Sequence, residues 1–391
     1  MAAHPRWLTP LLAAACGLIV ANIYYAQPLA GPISHALGLP SAAAGVIVTM
    51  TQAGYGLGLL LVVPLGDLIE NRVLIRSMVL LSAAALVCAG LAAQAPLFLA
   101  CALLIGLGSV AVQILVPYAS HLAPEHERGR VVGKVMGGLM IGIMLARPAA
   151  SMIAQLVGWR AVFLISSGLM LAMALVLSRL LPPRRPDHRS SYGALMASMA
   201  HLMAATPVLR RRALYQACMF GAFSVFWTAT PLLLTSPRYG LSQGGVALFA
   251  LVGATGAVSA PLTGRWADRG LTRIGSALAM AGAAAAFLAS RLAPEHSALG
   301  IGVLALCGVL LDFAVTANLV FGQRAIYVLG AETRARMNGL YMATFFVGGA
   351  VSSALAGWSY AEGGWAWTSL LGAGLPLLAL AYFATEAKPA P

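Results

Sequence analysis

Apolar stretches of about twenty residues recur along the whole chain, and each is long enough to cross the hydrocarbon of a bilayer as a helix. Twelve runs can be drawn, at residues 8–31, 41–66, 73–93, 97–118, 132–157, 160–181, 212–236, 243–264, 274–290, 298–322, 337–360 and 365–384. Inside lipid no water is available to backbone N–H and C=O groups, so a run of this length folds as a helix that satisfies its own backbone. Composition agrees. Of 391 residues 60% are hydrophobic and 9% charged, with mean hydropathy +0.86. A soluble domain carries about a quarter charged residues. The expected fold class is an all-α membrane protein with twelve transmembrane helices in two six-helix pseudo-repeats. The first run, from about residue 8 to 31, exceeds the 7–15 residues or so of a signal-peptide core and passes through Asn22, Tyr24, Tyr25 and Gln27 into Pro28, so it reads as a retained span.

The net charge of +13 does not mark a nucleic-acid binder. Its basic residues sit in short clusters between apolar runs and form no single patch. With the N-terminus inside, the inner segments hold 20 of the 24 Lys and Arg, the outer loops hold Arg160, Arg238 and Arg291, and Arg147 is the remainder. That asymmetry predicts a multi-pass protein with both termini cytoplasmic.

The longest polar break, residues 182–211, divides the chain into an N-terminal bundle (1–181), a cytoplasmic linker (182–211) and a C-terminal bundle (212–391). Within the linker Tyr192, Leu195, Met196, Met199, Leu202 and Met203 repeat at helical spacing, which predicts an amphipathic helix on the inner membrane surface. The two bundles repeat each other. Asp67 and Asp268 follow the second and eighth runs at an offset of 201; Arg-x-Arg-x-x-Gly begins at Arg128 and at Arg334, and Gly-Trp at Gly158 and Gly364, both at an offset of 206. Nearly constant offsets point to a duplication.

Twelve spans in two repeats, with acidic-basic turns after spans two and eight, resemble the major facilitator superfamily over the whole chain. The loop motif is well matched by Gly264-Arg265-Trp266-Ala267-Asp268-Arg269; the first copy keeps Pro64-Leu65-Gly66-Asp67 and then departs, with Glu70 in place of the usual glycine. The resemblance implies cytoplasmic latches, Asp67 with Arg128 or Arg130, and Asp268, beside Arg269, with Arg334 or Arg336. "NIYYAQPL" in span one and Gly142-Ile-Met-Leu-Ala146-Arg147-Pro148 in span five further resemble the bacterial drug/proton antiporter branch, which also contains exporters of sugars and nucleosides. That branch places no arginine before the proline. The resemblance implies a cavity lined by spans one, four, seven and ten, for which Asn22, Tyr24, Gln113, Trp227 and Asn318 are the candidates together with Asp312.

Small residues recur every fourth position at Gly138, Gly142, Ala146, Ala150 and Ala154 of span five, at Gly349, Ser353 and Gly357 of span eleven, and at Gly256, Ala260 and Gly264 of span eight. Such stripes admit close backbone approach. Spans five with eight, and two with eleven, are expected to meet through them.

Arg147 is the anomaly. No acid lies within fifteen positions of it, and a charge at mid-membrane costs about 2.5–3.5 kcal/mol on insertion scales. Asp312 is the one acid inside an apolar run. Three readings follow: a charge pair that joins the bundles and closes one side; Asp312 as a protonation site held or released by Arg147; or two unconnected residues, with Arg147 on helix carbonyls or on an anionic substrate. Helix rise alone leaves the two up to about 10 Å apart in depth.

No phosphate loop is present, the seven histidines fall in loops or near helix ends without metal-ligand spacing, and the five cysteines lie in apolar runs. No enzyme activity, cofactor or metal is expected. The sequence predicts a monomeric secondary active transporter whose partners are a small-molecule substrate, protons and the lipid bilayer, with no nucleic acid. Its expected function is proton-coupled export of a small amphipathic or drug-like molecule by alternating access. Uptake or facilitated diffusion of a sugar, nucleoside or siderophore, or a receptor that does not transport, are the alternatives.

Overall fold

A computed structural model describes residues 7–186, 191–253, 259–294, 296–330 and 332–386, with backbone alone for 259–261. Before the linker run α1 (Leu8–Ala21), α2 (Ala26–Ala36), α3 (Ala44–Leu61), α4 (Asn71–Leu91), α5 (Ala95–Ser109), α6 (Ala111–Leu122), α7 (Arg128–Val157) and α8 (Trp159–Leu180). The linker helix is α9 (Tyr192–Ala205). After it come α10 (Pro207–Thr235), α11 (Gln243–Val252), α12 (Ser259–Asp268), α13 (Thr272–Ala289), α14 (Ala298–Tyr327) and α15 (Arg334–Ala384). Among the described residues ten helical segments are long and apolar enough to cross a membrane, with α1–α2 and α5–α6 each one segment. Leucines at 145, 156, 171, 175, 299 and 310 stand exposed on their faces, as in a protein whose solvent is lipid.

Three departures from the apolar runs have local causes. The first run is broken at Asn22–Tyr25, where Ile23 and Tyr24 donate to the carbonyls of Val20 (3.2 Å) and Ala21 (3.0 Å), three residues back. Pro28 lies four residues after Tyr24; it has no N–H for that carbonyl and its ring crowds it. The eighth run is represented by α11 and α12, and Gly256 between them lies outside the described residues. The last two runs form one 51-residue helix broken at Gly364, whose φ of 58° and ψ of −152° suit a residue without Cβ. Serines start several helices: Ser191, Ser242 and Ser297 accept from the backbone N–H groups of Ala194, Gly245 and Gly300, at 3.2, 3.3 and 3.0 Å.

The helices before and after the linker meet chiefly through α3 and α15. A Cβ on Gly45 would collide with the backbone of Ser353 and Gly357, so the two helices touch backbone to backbone. Thr49 donates to the carbonyl of Ala350 at 2.7 Å. Gln52 donates to Ser224 of α10 (3.1 Å) and accepts from Ser353 of α15 (3.3 Å). At the same end, the backbone N–H of Gly244 donates to Gln155 of α7 at 3.2 Å, joining α7 to the start of α11. The stripe on α7 is used otherwise than expected. Gly138 and Gly142 pack on the backbone of Ala13 and Gly17 in α1, before the linker, where α1 has a matching glycine, while α7 also packs on α11, the first part of the eighth run, as expected.

The opposite end carries the linker and both ends of the described chain. Arg211 donates to Thr385 (3.1 Å), and Arg212 pairs with Glu386 (2.9 Å). Here a Cβ at Gly133 or Gly137 of α7, Gly264 of α12 or Gly339 of α15 would meet nothing within 4 Å. The linker helix does not present its apolar stripe to lipid. Met199 is buried against Leu209, Met337 and Tyr341, with Met196, Leu202 and Met203 packed beside them, and Leu195 is buried as well. Tyr192 donates to the carbonyl of Leu61 at 3.0 Å, and Arg336 bonds the Ser198 hydroxyl, so α9 bridges α3 and α15.

Candidate functional site

Arg147 of α7, Trp227 of α10 and Asp312 of α14 come together at the level where α1 breaks. All three are buried, at 6%, 2% and 5% exposure. The guanidinium carbon of Arg147 lies 4.1 Å from the centroid of the Trp227 ring, 5.0 Å from that of Phe223 and 5.6 Å from that of Tyr24. Three aromatic faces around a buried guanidinium supply quadrupole attraction where water is absent, and each desolvated contact is worth up to about 2 kcal/mol. The Trp227 indole N–H donates to Asp312 Oδ1 at 2.9 Å.

No ion pair joins Arg147 to Asp312 within 4.0 Å; among the described residues the acids that pair are Glu70 with Arg185, Glu386 with Arg212 and Asp268 with Arg324. A tryptophan instead stands between the two, stacked on the cation through its face and bonded to the anion through its N–H. It bridges the depth difference left open by helix rise, because an indole is long and amphipathic. On the far side, a Cβ at Gly253, just after α11, would collide with Trp227 and sit 3.1 Å from Asp312 Oδ2.

The other candidates disperse. Tyr24 belongs to the box. Asn22 accepts from Ser166 of α8 at 2.6 Å and leaves its Nδ2 unpartnered. Gln113, half-buried, donates to the Tyr55 hydroxyl at 2.9 Å, within the helices before the linker. Asn318 donates to Gln216 at 2.7 Å, and Gln216 donates to the carbonyl of Val315 at 3.2 Å, an arrangement that ties α10 to α14 one to two turns from Asp312.

The expected latches are not formed in this conformation. Asp67, Arg128 and Arg130 are exposed and form no pair with one another. Asp268 pairs with Arg324 at 3.1 Å, Arg334 donates to the carbonyl of Tyr327 at 3.1 Å, Arg336 turns to Ser198, and Arg269 is exposed. The physical reason is proximity: α12 packs on α14, which brings Asp268 to Arg324 ahead of the α15 arginines.

Sequence reading passed over Gln52, Gln27, Ser151 and Thr230. Gln52 was detectable as an amide inside an apolar run. Gln27, a polar residue of the first run, is fully buried. Both amide atoms of Gln27, Ser151 Oγ, Thr230 Oγ1, Asn22 Nδ2 and Arg147 Nε are buried without a hydrogen-bond partner. Ser151 is one turn beyond Arg147, and Thr230 and Gln27 one turn beyond Trp227 and Tyr24, so this polar set lies next to the box toward the closed end.

Charged and polar groups buried in a helical bundle, at a broken helix and between segments from both sides of the linker, are where alternating-access carriers hold their cargo. The family model for the Major Facilitator Superfamily matches residues 12–330. The chain belongs to the Major Facilitator Superfamily. It is 39% identical over 373 residues to the Uncharacterized transporter YgaY of Escherichia coli O157:H7, covering 95% of this chain and 94% of that one. It is 34% identical over 391 residues to the Probable transporter SCO4007 of Streptomyces coelicolor, covering 99% and 89%. Among solved structures, a bacterial homolog of the human lysosomal transporter Spinster, inward-facing and unoccupied, superposes with TM-score 0.74 at 16% identity over 100% of both chains. The nucleoside transporter NupG superposes with TM-score 0.76 at 13% identity, over 96% of this chain and 99% of that one. At such identities these two likenesses concern the fold alone. The protein is thus a multi-pass membrane transporter and not an enzyme.

Proposed function

We propose that this protein is a proton-coupled secondary active transporter of the bacterial inner membrane that moves a small amphipathic molecule by alternating access. Counting α15 as two spans divided at Gly364, and α11 with α12 as one, gives twelve spans in two six-helix bundles with both termini cytoplasmic. The observation that carries the proposal is the Arg147–Trp227–Asp312 bridge, which links α7 of one bundle to α10 and α14 of the other through a 2.9 Å hydrogen bond and a 4.1 Å stack. Asp312 is the proton carrier and Arg147 the fixed charge against which its protonation is read. Adding or removing one proton changes the charge of a site shared by both bundles, and so changes which packing of the bundles is preferred.

The tight contacts at Gly45 and Gln155, and the open glycine faces at Gly133, Gly137 and Gly264, support one of the two states required, with the cytoplasmic side open. In the other state those faces close, and Asp67, Arg128, Arg130, Asp268, Arg269, Arg334 and Arg336 exchange partners as latches. Export in exchange for protons results where substrate and proton exclude one another at Asp312, as in the antiporter branch that the sequence resembles.

The test needs no substrate. Spin labels at Gly133→Cys and Gly264→Cys, in a background lacking the five native cysteines, report the opening in liposomes. Two distance populations are expected, and Asp312→Asn should shift their ratio. A single distance, the same in both proteins, would rule out proton-gated alternating access.

A further inference from the structure

We propose that the Arg147 box is the seat of a carboxylate, and that the cargo is a small organic acid with a flat apolar body. The inference rests on the transporter reading above and names its substrate class. Trp227, Phe223 and Tyr24 surround the guanidinium carbon at 4.1, 5.0 and 5.6 Å and supply cation–π attraction without an oxygen to accept from its N–H groups. Among the described residues that guanidinium donates no hydrogen bond, and its Nε is buried without a partner. A buried, unneutralised cation is costly, and the in-plane fork of arginine fits a carboxylate through two parallel N–H···O bonds. The neighbouring unmet donors are of the kind a carboxylate uses: Ser151 Oγ, Thr230 Oγ1 and the amide nitrogen of Gln27, all fully buried. The buried rings of Trp227, Phe223 and Tyr24 make the surroundings of the seat apolar and aromatic, which suits an aromatic body on the acid.

Asp312 determines when the seat is free. It is the titratable acid facing the box, with Tyr24 and Arg147 as its other ionisable neighbours, and its carboxylate is held by Trp227. Ionised, it offsets the field of Arg147 and repels a second carboxylate; protonated, it does neither. A proton on Asp312 and a carboxylate on Arg147 therefore favour one another, and by linkage the favour is mutual. For an acidic cargo the proton travels with the substrate, the reverse of the exchange expected for a cation that displaces it.

The experiment measures binding of radiolabelled benzoate to the purified full-length protein, with unlabelled benzoate, benzamide and benzylamine as competitors. Benzoate should bind saturably, and benzamide and benzylamine should compete at least about tenfold more weakly, since neither offers a charge-assisted pair to arginine. Arg147→Lys, which keeps the charge and loses the fork, should weaken benzoate several-fold. Asp312→Asn, which mimics the protonated acid, should strengthen it. Competition by benzylamine equal to that of benzoate, absence of saturable benzoate binding, or weaker binding in Asp312→Asn would overturn the proposal. The wild-type competition series needs no variant, so a misfolded mutant does not decide the matter. Benzoate binding of this pattern with a single label distance would retain the carboxylate seat and remove the transport reading. Two exchanging distances with no benzoate binding would do the opposite.

Discussion

The two ends of the bundle are held by different physics. At the end remote from the termini, α3 and α15 touch through Gly45, Ser353 and Gly357, with Thr49 donating to backbone across that contact, and Gln155 of α7 accepts from the backbone at the start of α11. At the other end the glycine faces of α7, α12 and α15 are open, and charged side chains pair locally in water. Backbone contact is dispersion-rich and unforgiving, whereas exposed ion pairs are weak and exchangeable. A carrier that must open one side at a time needs both: an end that seals by shape, and an end whose charges can change partners at little cost.

The largest expected effect is at the sealed end. Gly45→Val places a branched side chain where even a Cβ collides with the Ser353 backbone. Overpacking of this kind costs about 1–3 kcal/mol or more. The variant should melt measurably below wild type, and the distance between labels at Gly133→Cys and Gly264→Cys should shift as the packing of the two bundles changes. Wild-type stability would mean that the backbone contact at Gly45 is not part of the resting state.

An intermediate effect belongs to the middle of the interface. Gln52→Leu removes the group that joins Ser224 and Ser353 at 3.1 and 3.3 Å and leaves two buried hydroxyls with one partner fewer. Interhelical hydrogen bonds in membrane proteins average about 0.6 kcal/mol and reach about 1.7. A loss of about 1 kcal/mol is expected in reversible unfolding, and a loss like that of Gly45→Val would show a network stronger than its distances imply. At the open end, Arg324→Ala breaks the pair with Asp268, whose side chains are 55% and 67% exposed. Stability should stay within about 0.5 kcal/mol of wild type. A larger loss would make that end as rigid as the other and undo the comparison.

The site was partly legible in the sequence. Arg147 stood out because no acid surrounds it, and Asp312 because it is the one acid in an apolar run. Their connection was not legible, because it runs through the face and edge of Trp227, and no spacing along three separate helices encodes that. Asp268 was assigned to Arg334 or Arg336 by motif, yet pairs with Arg324, because pairing among mobile surface charges follows which helix packs nearest. Gln27 was legible as a polar residue of the first run, and its full burial depends on how α2 docks beside α7 and α10.

The membrane class, the helical character and the position of the anomalous charges were determined by sequence alone, because hydropathy and helix length answer to the bilayer locally, residue by residue. Tertiary structure alone decided that a tryptophan separates arginine from aspartate, that the linker helix packs on protein and not on lipid, and that α3 and α15 touch backbone to backbone at one end. These depend on contacts between residues far apart in the chain, where small differences in packing choose among partners that the sequence leaves equivalent.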